Sequence, residues 1–118
     1  MTEKNNQIWP SEIRCNAKRN SLNIQFDNGD HFEISAELLR VESPSAEVQG
    51  HGPGQKKTPR NKQDIMITKI TAVGNYAVRL TFSDGHDTGI YSWDLLHDYG
   101  KRKVQLMADY QQRLDALG

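Results

Sequence analysis

The feature that most constrains this chain is a strand–turn–strand–helix unit that occurs twice. The first copy reads Leu22-Asn23-Ile24-Gln25-Phe26, then Asp27-Asn28-Gly29, then Asp30-His31-Phe32-Glu33-Ile34, followed by Ser35-Ala36-Glu37-Leu38-Leu39. The second reads Val78-Arg79-Leu80-Thr81-Phe82, then Ser83-Asp84-Gly85, then His86-Asp87-Thr88-Gly89-Ile90 and Tyr91, followed by Ser92-Trp93-Asp94-Leu95-Leu96. Each copy alternates apolar and polar residues with a period of two, holds a glycine in its turn, and sets a serine where a helix begins.

The facing of the side chains fixes the turn length. A two-residue Asn28-Gly29 turn would send Phe32 and Ile34 to the face opposite Phe26. A three-residue loop ending in a left-handed Gly29 pairs Ile24 with Phe32 and Leu22 with Ile34, keeping the apolar residues on one face. The same arithmetic on Ser83-Asp84-Gly85 pairs Val78 with Ile90, Leu80 with Thr88 and Phe82 with His86.

Ile13 and Cys15 alternate with polar residues and predict a short first strand ending in a turn over Asn16 to Asn20. Ile65-Met66-Ile67 and Ile70-Thr71-Ala72 predict another strand, which turns through Gly74-Asn75 into the second unit. Its apolar parity switches between Ile67 and Ile70, which places a bulge near Thr68-Lys69. Residues 43–64 hold three of the four prolines and a single large apolar residue, Val48, and read as a flexible Gly/Pro-rich basic loop. Residues 1–11 read as a disordered tail. At the other end, Gly100 is expected to divide a short helix from a longer one, whose apolar face is Val104, Met107, Tyr110, Leu114 and Leu117.

Length and charge narrow the classes. The 118 residues fit one domain. Fifteen basic and fifteen acidic residues cancel, so no global field favours nucleic acid or an anionic membrane. The only cysteine is Cys15, which excludes an internal disulfide and any all-cysteine metal site; as a strand thiol it is expected to be buried. Met1 to Gln7 lacks the apolar core of a signal peptide, and no apolar run approaches the roughly 20 residues of a membrane helix. The expected location is cytoplasmic.

Two stretches carry a resemblance. Leu39-Arg40-Val41-Glu42-Ser43-Pro44-Ser45-Ala46-Glu47-Val48 and Asp84-Gly85-His86 with Trp93 resemble the γ-butyrobetaine-hydroxylase-like N-terminal domain family, a domain of unknown function (DUF971) in bacterial stand-alone proteins. Glu47-Val48-Gln49-Gly50-His51-Gly52 and Val73-Gly74-Asn75-Tyr76-Ala77-Val78 resemble its stand-alone branch, and the likeness runs from about Ile13 to Arg113. In the hydroxylases this domain precedes an iron and 2-oxoglutarate dioxygenase domain. It holds a zinc there through three cysteines and a histidine. The resemblance puts those ligand positions at Ser43, Ser45, Val48 and His86, of which only His86 keeps its ligand. Hydroxyls and a valine make no thiolate site, so no structural zinc and no cofactor are expected. His86 is expected on the core-facing side of its hairpin beside Phe82. Family members fused to P-loop ATPases with iron–sulfur clusters imply a link to iron–sulfur or metalloenzyme biogenesis.

Other chemistry finds little footing in the sequence. His86-Asp87 and His97-Asp98 lack the His-x-Asp spacing of a dioxygenase triad, and no Gly-x-Ser-x-Gly elbow occurs. Gly50-His51-Gly52-Pro53-Gly54-Gln55-Lys56-Lys57-Thr58 has the composition of a phosphate loop but not its spacing, and Pro53 and Pro59 oppose a helix start. Lys56, Lys57, Arg60 and Lys62 are expected as a solvated basic stretch able to dock an acidic partner or a phosphate; without aromatics it offers no stacking for RNA. His31 is expected on the solvent side.

The sequence thus predicts an α+β fold, a small antiparallel sheet built from two related β-hairpins with helices packed on one face. The expected function is a non-enzymatic accessory or interaction domain with an unknown protein partner. Gly50, His51, Gly52, Gly54, Lys56, Lys57, Trp93 and Tyr99 form its candidate surface. The alternative is a small-ligand or metal-binding enzyme component that uses the glycine-rich loop, His51 and His86 as one site, or a divalent-metal site at Asp84, His86 and Asp87.

Overall fold

The computed structural model describes residues 8–50, 52 and 54–117. His51 of the candidate surface lies outside the described residues. Among the described residues, six strands and three helices follow one another as β1 (Pro10–Cys15), β2 (Ser21–Phe26), β3 (His31–Ser35), α1 (Ala36–Val41), α2 (Ala46–Gln49), β4 (Ile67–Val73), β5 (Ala77–Phe82), β6 (Ile90–Ser92) and α3 (Trp93–Leu117). The fold is α+β. In place of the single sheet read from the sequence there are two antiparallel three-stranded sheets, β1-β2-β3 and β4-β5-β6. Strand β1 begins at Pro10, inside the stretch expected as a tail.

The first unit follows its expected register. Gly29 takes a left-handed φ of 95°, the Gly29 amide donates to the Phe26 carbonyl, and Ile24 pairs with Phe32 and Leu22 with Ile34. Leu22, Ile24 and Ile34 are completely buried as a result. Ser35 then caps α1, accepting from the Leu38 amide at 3.1 Å.

The second unit starts the same way and then departs. Gly85 has φ of 91° and the Phe82 amide donates to the His86 carbonyl at 2.9 Å, so the three-residue loop is present. Beyond it Val78 pairs with Tyr91 and Arg79 with Ile90, one residue out of the expected Val78–Ile90 pairing. Tyr91 is therefore the buried residue and Ile90 is 46% exposed. The physical reason is a close approach at Gly89. A Cβ there would sit 2.5 Å from Ser43 Oγ, and the slip lets the Tyr91 hydroxyl reach the core and donate to the Leu39 carbonyl.

The two sheets are tied at Arg19, whose carbonyl accepts from the Ile67 amide and whose Nε donates to the Ile67 carbonyl, both at 2.8 Å. The register of β4 shifts between Ile67 and Lys69, where the parity switch placed a bulge. One hydrophobic cluster spans both sheets and the helices, with Phe26, Leu38, Leu39, Leu80, Phe82, Leu96 and Tyr110 among its members.

Helix α3 breaks at Arg102 rather than at Gly100 (φ −107°, ψ 15°). Gly100 serves packing instead: a Cβ there would stand 2.4 Å from the Phe32 ring. The buried stripe of α3 runs through Leu96, Tyr99, Leu106 and Tyr110, while Val104 is 79% exposed and Leu117 is also exposed. Of the expected face, Tyr110 is buried and Met107 and Leu114 pack partly buried against the core, while Val104 and Leu117 fall outside it. Among the described residues no helix is long and apolar enough to cross a membrane.

Candidate functional site

Residues 43–64 carry more structure than their composition implies. Ser45 caps the short helix α2, accepting from the Glu47 amide at 3.1 Å. Gly50 ends it with a left-handed φ of 76°. Ser43, Ser45 and Val48 are buried. The chain then returns beneath α2, where the Lys57 amide donates to the Val48 carbonyl at 2.7 Å. This return path brings the basic residues against the tip of the second hairpin.

The result is a cleft of about 400 Å³ lined by Arg40, Glu47, Val48, Lys57 to Arg60, Lys62 and His86. A hollow of about 550 Å³ shares Glu47 and Lys57 with it and continues past Gly50 and Gln55. Arg40 comes from the last turn of α1, where a cation also suits the helix dipole. Its Nε donates to Asp84 Oδ2 at 2.8 Å, and Lys62 Nζ donates to the same oxygen at 2.7 Å. Burial pushes the Asp84 carboxyl up, but Lys62, the His86 amide and Arg40 together outweigh it and hold the pKa at about 2. Arg40 Nη1 is buried without a hydrogen-bond partner among the described residues. Lys57 and Arg60 are exposed and enter no ion pair among the described residues.

His86 joins α2 to the hairpin. It is buried beside Phe82, as expected, with the ring centroids 6.1 Å apart. Its Nε2 lies 2.9 Å from Ser43 Oγ and its Nδ1 lies 3.0 Å from Glu47 Oε1. Burial, and then the Arg40 charge, lowers its pKa below the ordinary histidine value, so the ring is neutral near pH 7. A carboxylate can only accept, which puts the proton on Nδ1 and leaves Nε2 as an acceptor for the Ser43 hydroxyl. The Ser43–His86–Glu47 row has the order of a hydrolytic triad. Ser43, however, is completely buried and does not line the cleft, so the row ends in the core.

The four positions that the resemblance links to zinc do come together. Ser43 and His86 are in contact, the Ser45 amide donates to Ser43 Oγ at 3.2 Å, Ser45 Oγ lies 2.6 Å from Thr88 Oγ1, and Val48 is buried alongside. The donor set is one imidazole and two hydroxyls, Ser43 Oγ engaged with His86 and Ser45 Oγ with Thr88, which does not fit a tetrahedral thiolate site. Among the described residues no three His, Cys, Asp or Glu side chains are grouped to hold a metal ion.

Trp93 and Tyr99 correct the sequence reading, because neither offers a surface. Trp93 is 8% exposed and donates from Nε1 to the Asn75 carbonyl at 2.9 Å. Tyr99 is 7% exposed and donates to the Glu42 carbonyl at 2.6 Å. Lys56 and Lys62 are likewise not simply solvated. Lys56 donates to Glu42 Oε1 at 2.7 Å, Arg113 reaches Glu42 Oε2 at 2.7 Å, and Lys62 is held by Asp84. Cys15 is half-buried in β1, where burial raises its thiol pKa. His31 is exposed on the far face of the first sheet.

Arg40 and Glu47 are site residues that the sequence pattern did not single out, and it marks Asp84 only as a metal ligand, not as the partner of two cations. The local signal for Arg40 is a cation at the end of a short capped helix. Nothing local shows that its partner lies 44 residues away.

Fold and cleft together define a small α+β domain built on two hairpin-and-cap units, with a basic hollow at the tip of the second. The chain belongs to the family described as gamma-butyrobetaine hydroxylase-like, N-terminal, whose model matches residues 13–97. It is similar to a protein solved by NMR in solution, at 46% identity over 99% of this chain and 87% of that one, with a TM-score of 0.81. A second NMR structure is 39% identical over 93% of this chain and 86% of that one, with a TM-score of 0.80. A crystal structure from Acidithiobacillus ferrooxidans, described as a protein of unknown function in the DUF971 family, is 33% identical over 74% of this chain and 86% of that one, with a TM-score of 0.61. No curated protein matches the chain.

Proposed function

We propose that this chain is a cytoplasmic, non-enzymatic interaction domain that docks an acidic segment of a partner protein in the cleft beneath α2. One observation carries the reading. Arg40, Lys57, Arg60 and Lys62 converge on a hollow that holds, among the described residues, two carboxylates, Glu47 at its wall and Asp84 behind it, in a chain whose overall charge is zero. A local excess of cations in a neutral molecule steers and selects an acidic partner. The continuation past Gly50 and Gln55 gives room for an extended segment rather than a single ion. The burial of Ser43 supports a non-catalytic role. A task in iron–sulfur or metalloenzyme biogenesis is supported by the resemblance alone.

The double variant Lys57→Glu/Arg60→Glu tests the docking reading. Both residues are exposed, so its melting temperature should stay close to wild type. Affinity capture from cell extract should return a reproducible partner with the wild-type chain and lose it with the variant. A partner captured equally by both, or by neither, overturns the reading.

A further inference from the structure

We propose that the floor of this cleft is a phosphomonoester subsite, with Arg40 and Lys62 beneath the phosphate, Lys57 and Arg60 over it, and Asp84 as a built-in competing carboxylate. The inference rests on the cleft being the docking site and names the anion it selects.

The geometry points to a dianion with several acceptor oxygens. Arg40 and Lys62 both donate to one oxygen, Asp84 Oδ2, at 2.8 and 2.7 Å, so two cations already converge on a single anionic point at the base of the cleft. That point is the carboxylate of the chain's own hairpin turn, positioned as an external anion would be. Asp84 neutralises only part of what surrounds it. Arg40 keeps an unpartnered donor at Nη1, and Lys57 and Arg60 stand exposed over the hollow. Point charges from Lys57, Arg60 and Lys62, with the Arg40 guanidinium behind them, match a tetrahedral oxyanion better than a planar carboxylate that reaches only two donors. Thr58 adds a hydroxyl to the same wall, and Val48 and Pro59 give it an apolar side against which the carrier of the phosphate can lie. Glu47 at the wall disfavours a larger polyanion lying across the cleft.

Asp84→Asn separates the charge of this carboxylate from its structural part. The Asp84 side chain also accepts from the His86 amide at 3.1 Å through Oδ1, a bond that asparagine can keep. Removing the negative charge while keeping the turn should therefore tighten phosphate binding. A carboxylate serving only to hold the hairpin would leave the anion affinity unchanged.

The experiment is an amide-resonance titration of the full chain at fixed ionic strength and pH 7.5. The probes are inorganic phosphate, a short Glu-rich peptide bearing one phosphoserine, and the same peptide unphosphorylated. Inorganic phosphate should give saturable shifts centred on Arg40, Lys57, Arg60, Lys62 and His86. Asp84→Asn should bind it about tenfold more tightly, the size of one modest charge–charge interaction, and Arg40→Gln or the Lys57→Glu/Arg60→Glu pair should lose the saturation. The phosphopeptide should bind at least about tenfold more tightly than its unphosphorylated twin, as expected for charge-assisted contacts to a dianion. Shifts from phosphate no larger than those from chloride overturn the inference. Saturable and equal binding of the two peptides, each tighter than phosphate, also overturns it and leaves the docking of acidic segments standing. Saturable phosphate binding with neither peptide tighter than phosphate supports the subsite and assigns it to a free small phosphoester, which overturns partner docking instead. An Asp84→Asn affinity equal to wild type removes the competing carboxylate from the proposal and overturns it in the form stated.

Discussion

The two hairpins begin as near copies and end as different objects. Both loops close over three residues with a left-handed glycine, Gly29 at φ 95° and Gly85 at φ 91°. The first keeps strict alternation down to Leu22 and Ile34, and its return strand completes a sheet and packs through Phe32 on α3. The second loses register by one residue between His86 and Tyr91. That slip takes residues 86–89 out of the ladder. His86 is then free to meet Ser43 and Glu47, and Thr88 to meet Ser45. The tips differ in the same sense. Asp30 at the first accepts from His97 at 2.7 Å, while Asp84 at the second is shared by two cations at the edge of a cleft. One irregularity of a single residue thus separates a structural hairpin from the one that shapes the candidate site.

The slip is most directly broken at Tyr91. Tyr91→Ala removes a completely buried ring and orphans the Leu39 carbonyl, and should cost about 3–5 kcal/mol in denaturant unfolding. Ile90→Ala trims a side chain that is 46% exposed and should cost about 0.5 kcal/mol or less. In the unslipped register the order would be reversed, so the pair of measurements decides which residue faces the core. The next effect in size is at Gly89, where the return strand passes Ser43. Gly89→Ala places a Cβ 2.5 Å from Ser43 Oγ and 3.2 Å from the Tyr91 ring, and should cost about 1–3 kcal/mol. It should also shift the His86 imidazole resonances, which a purely local strain at Gly89 would leave in place.

The contrast also marks where sequence reasoning stops. Turn length and the whole of the first register were legible, because a left-handed glycine and period-two alternation are local and point to one answer. The bulge at Ile67–Lys69 was legible for the same reason. The slip after His86 was not, since Thr88 and Gly89 satisfy the unslipped pattern equally well. It is decided by Ser43 and Leu39, which lie far away in the chain and press on the return strand. The site divides along the same line. Lys57, Arg60, Lys62 and His86 stand out as residue types, but their convergence depends on Arg40 and Asp84 meeting across 44 residues. Trp93 and Tyr99 misled because an aromatic with a polar tip reads equally as a surface or as a buried group with one hydrogen bond, and here both tips are satisfied inside.

Where the two hairpins are still alike, their variants should be alike. A Cβ at Gly29 or at Gly85 meets nothing within 4 Å, so each alanine feels only the backbone penalty of the left-handed conformation. Gly29→Ala and Gly85→Ala should each cost about 1–2 kcal/mol. A Gly85→Ala cost well above the Gly29→Ala cost would show that the cleft side chains impose strain on the second turn.

The smallest effect separates the two tips by pH. The Asp84 carboxyl is held at about 2 against an ordinary value of 3.8, and Asp30 is lowered as well, first by His97 and then by Asn28. A depressed carboxyl contributes stability that is complete above its unfolded pKa and is lost as pH falls through the folded one. For Asp84 that window runs from about pH 4 down to about 2. The stability gap between wild type and Asp84→Asn, from urea melts, should be constant above pH 5 and close within that window; solvent screening at this exposed turn limits it to about 1 kcal/mol. Asp30→Asn should close its own gap as pH falls below the unfolded carboxyl pKa, and by less, because the first tip has one imidazole where the second has a lysine and an arginine. If the two gaps are equal, the extra cations at the second tip do not act on Asp84, and the excess positive charge assigned to the cleft is absent in solution.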